Sequence, residues 1–482
     1  MSTDTPIEMV GWKHAASDAP AVIAQLRELR AQISFEIREI IVLGMGGSAL
    51  AAYVLTDAFR RQLDDLKVTI RVVDTTSPAS VERVLTGMDG DGTLLIVASK
   101  SGTTLEPNMV LRLCAERLGS AETARQHCIA LTDPGTELEA QARDENWLAL
   151  ITTPADVGGR FSALTAFGLA PLTLAGVDLE PLVALAREAE ARRGVARIVD
   201  FMVESEQAGR DVLLLALPAD LTPVGLWLEQ LIAESLGKEG RGLIPIVTTP
   251  QRAEELLLFS QRAHATCSLV TIGAEDDADL ARVAETAQTL QLPVCDYRIN
   301  EPDELGRLFT DWMFTVAATG ERLGIDPFDQ PDVAASKEAT ARILAEKAQA
   351  KGEGVARTPL PSELPEGVHY LALLAWLPFS EGNDAFLQRR AIELERQYGL
   401  PVATEYGPRY LHSTGQGYKG GPATGLFVFV ESDDPGPDLP IPGKDLTLAE
   451  VFTAQRQGDI EALQAKGRPL FSMEACDGPC AD

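Results

Sequence analysis

Cationic side chains are scarce in this chain. Its 482 residues carry 42 Lys and Arg against 71 Asp and Glu, a formal net charge of −29. A surface of that sign repels phosphate backbones, so nucleic acid is not an expected partner. Long apolar runs are missing too: none approaches the roughly 20 residues that span a bilayer. The stretch from Met1 to Pro20 has neither the basic start nor the apolar centre of a signal peptide, so a cytoplasmic location is expected. Cysteine is sparse, six residues scattered along the chain, which fits a reduced compartment. Cys476 and Cys480 have no histidine or further cysteine beside them, and no metal site is expected there.

The same scarcity makes the remaining cations informative. There are five histidines and ten lysines, and Lys100, Lys238 and Lys419 each fall inside a glycine-rich motif. The apolar content of 45% and charged content of 23% are those of an ordinary globular protein. The length exceeds what one hydrophobic core holds, so two or three domains are expected.

After a helical segment at residues 1–33, strand-like and helix-like stretches alternate, which predicts a parallel sheet with crossover helices. Strands are expected at Glu39–Leu43, Val68–Val73, Thr93–Ala98 and His127–Leu131. Their continuous aliphatic character fits burial on both faces. A connecting stretch from Ile151 to about Gly194 contains Gly158-Gly159-Arg160. The pattern then restarts with strands at Asp211–Leu217, Gly242–Val247, Ser268–Ile272 and Val294–Tyr297, and helices at Pro223–Leu236, Ala278–Leu290 and Asp303–Arg322. A charged helix over Asp332–Ala350, a linker near Gly352–Gly367, and strands at His369–Ala375 and Leu426–Val430 complete it. The reading is an α/β protein of two related units, residues 34–175 and a larger 176–482 with a C-terminal extension.

The first strand runs into Gly44-Met45-Gly46-Gly47-Ser48 and then a helix. Glycines let the backbone approach a ligand, and a helix N-terminus offers free N–H groups to an anion. Alone, this loop also satisfies a dinucleotide fingerprint, with Asp74 placed where a ribose-binding acid would sit. The third strand narrows the choice. It ends in Ser99-Lys100-Ser101-Gly102-Thr103-Thr104, whose four hydroxyls and one ammonium suit a phosphate monoester.

Three further features suggest acid–base chemistry. Arg160, flanked by glycines, can approach a ligand and stabilise a developing enediolate oxygen. The helix beginning at Thr222-Pro223, read as N-cap and first helical residue, carries Gln230 and Glu234 on one face and ends at Gly237. A buried carboxylate there suits a base acting at carbon. The segment Arg409–Gly421 is the richest polar–glycine loop of the second unit and contains His412 and Lys419, residue types able to open a sugar ring by moving protons between O1 and O5.

Together these stretches resemble the glucose-6-phosphate isomerase family, built from paired sugar isomerase (SIS) domains of flavodoxin-like, parallel-sheet αβα architecture. The resemblance runs over essentially the whole chain. It is closest to the isomerase half of bifunctional transaldolase–isomerase proteins, with no transaldolase half present. It implies interconversion of glucose 6-phosphate and fructose 6-phosphate through a cis-enediolate, with no metal or organic cofactor. Phosphate binding by Gly47, Ser48, Ser99, Lys100, Ser101, Thr103 and Thr104, an enediolate-stabilising Arg160, a substrate-binding Gln230 and a base Glu234 are implied. A homodimer is implied as well.

The chain departs from the family at several points. It has Ser-Lys-Ser-Gly-Thr-Thr where the family reads Ser-Lys-Thr-Phe-Thr-Thr, and Leu236 where the family has asparagine before Gly-Lys. The family's ring-opening histidine follows the base by about thirty residues in a Gln-His motif. His264 has that spacing without the motif, so His412 is preferred, with Lys419 resembling the family's C-terminal lysine. Which of His264, His412 and Lys419 opens the ring is left open by the sequence, as is activity on mannose 6-phosphate. A non-catalytic sugar-phosphate-binding SIS protein is the alternative class.

Overall fold

The computed structural model describes residues 8–119, 121–346, 360–432 and 436–475. Cys476, Cys480, the end of the Asp332–Ala350 helix and much of the Gly352–Gly367 linker lie outside the described residues. The described residues form two units that do not follow chain order. One comprises the described residues of 8–74, 84–195 and 301–314; the other comprises those of 75–83, 196–300 and 315–475. No described helix is long and apolar enough to cross a membrane.

The first unit holds five parallel strands: β1 (Glu39–Gly44), β2 (Thr69–Val73), β3 (Thr93–Ala98), β4 (Cys128–Thr132) and β5 (Ala149–Thr152). Their spatial order is β2-β1-β3-β4-β5. Every residue of β1 and β3 is buried, because helices cover both faces. The chain reverses its direction of travel across the sheet between β1 and β3, which pair from Glu39↔Thr93 to Gly44↔Ala98. A crevice opens at the C-terminal ends of strands at such a switch point. The glycine loop after β1 and the hydroxyl loop after β3 therefore flank one crevice. Helix Ala15–Gln32 packs on helices Ala166–Ala175 and Glu180–Arg192. Its first turn is held by the Glu190 carboxylate, which accepts from Ala16 N at 3.1 Å.

The second unit contains two four-stranded parallel sheets. One is built from β6 (Val212–Ala216), β7 (Ile244–Thr248), β8 (Cys267–Gly273) and β9 (Val294–Arg298), the other from β10 (Tyr370–Trp376), β11 (Val402–Tyr406), β12 (Gly425–Glu431) and β13 (Leu470–Glu474). Their orders are β7-β6-β8-β9 and β11-β10-β12-β13, both repeating the first four strands of the five-stranded sheet. Alternation along β10 and β12 divides their side chains between two cores. Tyr370, Ala372, Leu374, Trp376, Phe427 and Phe429 join Val212, Leu214, Ile244 and Leu269 in one cluster that both sheets share. Leu371, Leu373, Leu426 and Val428 form the other with Leu387, Ala391 and Leu394 of helix Glu381–Tyr398. Each fully buried side chain of this size contributes about 1.5–3 kcal/mol.

The parallel-sheet α/β architecture expected from the sequence is the one observed, with the second unit the larger. Three strands, β5, β11 and β13, carry no clear signal in the sequence. All three are sheet edges. An edge strand is covered on fewer sides, and the half-exposed patterns of β5 and β13 lack the continuous apolar run of a central strand.

Candidate active site

Beyond β1 the chain turns through Met45 into a short 3-10 segment, Gly46–Ser48, and on into helix Leu50–Ala58. Gly46 has φ +52°, in the left-handed region that favours glycine. Gly47 is glycine for a different reason. A Cβ there would lie 2.2 Å from the carbonyl carbon and oxygen of Gly159 and 2.5 Å from Arg160 N. The glycine loop and the Gly158-Gly159-Arg160 turn thus touch backbone to backbone. Ser162 Oγ sits 3.1 Å from Gly47 O and 2.6 Å from Gly159 O, clasping the two. Arg160, in the 3-10 turn Gly159–Phe161, is buried.

The hydroxyl loop is ordered by its own side chains. Ser99 Oγ and Thr104 Oγ1 are 2.9 Å apart, and Ser101 Oγ and Thr103 Oγ1 3.2 Å apart. Gly102 has φ +71°, and a Cβ on it would fall 2.7 Å from Thr136 Cβ. A phenylalanine, as the related motif carries, would not fit this conformation. Lys100 is not an isolated ammonium. It forms an ion pair with Asp133 and reaches Ala155 O at 3.3 Å, while Asp133 also accepts from Thr153 Oγ1 at 2.6 Å. The positive charge expected to meet a phosphate is paired with a carboxylate. Ser101 and Thr103 remain solvent-facing.

In the second unit the helix Thr222–Leu236 is buried almost all round, Gln230 and Glu234 included. Thr222 is not its N-cap, as its spacing suggests. It is the first helical residue, Leu221 takes the cap, and the Thr222 hydroxyl donates to Ala219 O at 2.8 Å to close the preceding turn. Gly237 ends the helix at φ −81° and so is not there for left-handed geometry. A Cβ on it would lie 2.5 Å from Gly417 Cα, so close packing on the short helix Gly415–Gly420 demands the glycine.

Gln230 connects the two segments. Its Nε2 donates to Glu234 Oε2 at 3.2 Å and to His412 O at 2.9 Å. Its Oε1 is buried with no hydrogen-bond partner among the described residues. Gln416 adds a second tie, donating through Nε2 to Gly237 O at 3.0 Å and to Asp332 Oδ2 at 2.9 Å. His412 ends the 3-10 turn Arg409–His412 and is half-buried. Lys419 is buried with its Nζ 2.6 Å from Asp459 Oδ1 and 3.3 Å from Gly415 O. Asp459 also accepts from Tyr410 Oη at 2.5 Å and Ser336 Oγ at 3.3 Å. His264 has its Nε2 2.5 Å from Leu257 O, on the neighbouring helix Pro250–Phe259. Lys238 is buried on Asp326 O and Asp329 Oδ1, the latter at 2.8 Å.

Each unit therefore assembles part of the expected set: the two phosphate loops with Arg160 in the first, and Gln230, Glu234 and the His412 segment in the second. The sequence does not single out Ser162, Asp133, Gln416 or Asp459. Each acts on a partner far along the chain, and no local spacing marks it.

Residues 6–190 match the family model described as phosphoglucose isomerase. The chain is 30% identical over 371 residues to a glucose-6-phosphate isomerase of Symbiobacterium thermophilum, covering 65% of this chain and 82% of that protein. It is 27% identical over 416 residues to the one of Heliobacterium modesticaldum, covering 73% and 91%. Among solved structures, a hypothetical protein from Thermus thermophilus superposes with TM-score 0.64 and 26% identity over 71% of this chain and 92% of that one. A glucose-6-phosphate isomerase from Chlamydia trachomatis shares the fold, with TM-score 0.58 at 20% identity over 70% and 74%. On this coverage, and with the motifs in the places just described, the chain belongs to the glucose-6-phosphate isomerase family.

Proposed function

We propose that this protein interconverts D-glucose 6-phosphate and D-fructose 6-phosphate through a cis-enediolate. The carrying observation is the buried Gln230–Glu234 pair held against the His412 backbone. The phosphate is bound by the backbone of Gly47 and Ser48 and the hydroxyls of Ser99, Ser101, Thr103 and Thr104, with Lys100 drawn from Asp133 toward the dianion. His412 opens the ring by moving the O1 proton to O5. His412 lies on the segment that Gln230 holds one bond from Glu234, which favours it for this step. Glu234 then removes the proton from C2 of the open aldose. Arg160 stabilises the oxygen on which charge develops, a proton passes from O2 to O1 of the enediolate, and Glu234 returns its proton to C1. No atom is gained or lost. Gln230 aligns the base, and Lys419 with Asp459 fixes the segment that carries His412.

A coupled assay on the purified protein, supplying fructose 6-phosphate and reading glucose 6-phosphate through an NADP-linked dehydrogenase, tests the proposal. Saturable turnover is expected; tight fructose 6-phosphate binding without turnover would instead identify a non-catalytic sugar-phosphate sensor. We assign the chain, on its motif set, to the type found as the isomerase half of bifunctional transaldolase–isomerase proteins. We also assign it as a cytoplasmic protein and a homodimer; sedimentation at micromolar concentration tests the dimer.

A further inference from the structure

Asp133 directly follows β4 and ties together loops from the two strands beside it. Its Oδ2 pairs with the Lys100 ammonium of the hydroxyl loop after β3, and its Oδ1 accepts from Thr153 Oγ1, just after β5, at 2.6 Å. Its main-chain N donates to Lys100 O at 3.2 Å. Lys100 Nζ also donates to Ala155 O at 3.3 Å, so the ammonium and the carboxylate hold the same stretch at two points. That stretch, residues 153–158, leads into Gly159-Arg160, whose backbone meets Gly47. Thr153 is buried, and the Lys100 and Asp133 side chains are 22% and 15% exposed. The contacts close a ring around the crevice. It runs from the glycine loop after β1 to the Arg160 turn, then through Thr153 and Asp133 to the hydroxyl loop after β3, the strand that pairs with β1.

An exposed ion pair holds little, but this one is mostly buried and its partners make further bonds to the same stretch. The charge of an ammonium so engaged is already paired, and a phosphate dianion gains it in competition with Asp133. As Lys100 turns to the dianion, its bonds to Asp133 and Ala155 O weaken, while the bond from Thr153 to the other carboxylate oxygen is untouched. The two oxygens of Asp133 thus have separable effects. One sets how readily the phosphate obtains Lys100; the other fixes the stretch that precedes Arg160. Contacts to a part of the substrate remote from the reacting carbons raise turnover when they order the groups that act there.

We propose that Asp133 is a positioning residue of the isomerisation: through Oδ2 it holds Lys100 in reserve for the phosphate dianion, and through Oδ1 and Thr153 it keeps the Arg160 turn in place for the enediolate. Asp133 therefore weakens phosphate binding while it supports turnover. The inference rests on the assignment of the phosphate to the hydroxyl loop and of Arg160 to the enediolate.

The test separates the two oxygens by conservative substitution. It reads inorganic phosphate binding by calorimetry beside kcat and KM for fructose 6-phosphate. Asp133→Asn keeps an acceptor for Thr153 but sets an amide N–H against the ammonium and turns it away. Its phosphate Kd and its KM should fall together by about three- to tenfold, the scale of a released ion pair, while kcat falls with the lost tie at Ala155. A merely structural lesion would raise both constants. Thr153→Val removes the hydroxyl and should lower kcat about tenfold, the worth of one charge-assisted hydrogen bond, with phosphate Kd within about twofold of wild type. Thr153→Ser, which restores the hydroxyl, should recover most of that loss. Unchanged or weaker phosphate binding by Asp133→Asn would overturn the proposal, as would wild-type kcat in Thr153→Val. If no protein of the set, wild type included, isomerises fructose 6-phosphate while Asp133→Asn still tightens phosphate binding, the reserve of Lys100 stands. The isomerase reading then fails.

Discussion

The side-chain amide of Gln230 donates to the main-chain oxygen of His412 at 2.9 Å, across 182 residues of sequence. The same nitrogen reaches Glu234, one helical turn on. One amide thus fixes the distance between a base and the segment carrying the ring-opening candidate. Gln230→Ala should lower kcat by about 30- to 150-fold, as expected for losing buried hydrogen bonds worth about 2–3 kcal/mol. Gln230→Glu should be worse, since it sets an acceptor against an acceptor and a charge beside Glu234. The coupled assay measures both.

Glu234→Gln retains the shape of the base and removes its proton affinity. Exchange of the substrate C2 hydrogen with deuterium oxide should disappear, while binding of sugar phosphate by calorimetry stays within about threefold of wild type. Retained turnover in this variant would remove Glu234 from the mechanism.

Gly47→Ala and Gly159→Ala make a contrasting pair. The first places a methyl 2.2 Å from Gly159 backbone; the second meets nothing within 4 Å. Gly47→Ala should cost roughly 2–4 kcal/mol of stability and weaken inorganic phosphate binding, by thermal unfolding and calorimetry. Gly159→Ala should leave Tm near wild type. Any loss of substrate affinity it shows would then report close approach of the ligand to that backbone.

Asp459→Ala strands the buried Lys419 ammonium along with the Tyr410 hydroxyl. Removing one partner of a buried ion pair costs about 3–5 kcal/mol, so the urea midpoint should fall sharply. Asp459→Asn, which keeps the hydrogen bond from Tyr410, should be intermediate.

Stability should also depend on pH through Glu405. Burial raises its folded value to about 7, whereas the unfolded chain ionises it near the ordinary carboxylate value of about 4.3. The folded state holds the proton over that window. Its contribution is complete at the acid end and is lost as pH rises through about 7, a fall of up to about 4 kcal/mol. Glu405→Gln should flatten the dependence in urea titrations between about pH 5 and pH 8.

Central strands announce themselves in the sequence because burial on two faces demands an unbroken aliphatic run, as in Thr93–Ala98. Glu234 and Arg160 stand out because their flanking residues are unusual, and the hydroxyl loop because its donors are dense. What the sequence hides is pairing at a distance. Nothing near Lys100 marks Asp133 as its partner, and nothing near Lys419 marks Asp459. The role of Gly237 is hidden for the same reason. The helix-end rule is local, while the contact that demands glycine there is with Gly417, 180 residues away. Edge strands β11 and β13 escape notice because one-sided pairing needs less apolar side chain.

Gly47 and Gly159 meet with no side chain between them, and the Ser162 hydroxyl spans both carbonyls. The two loops are consequently one transplantable part. A chimera that exchanges the first loop for that of a distant relative should fold only if residues 158–162 travel with it, and neither loop can drift in sequence without the other following.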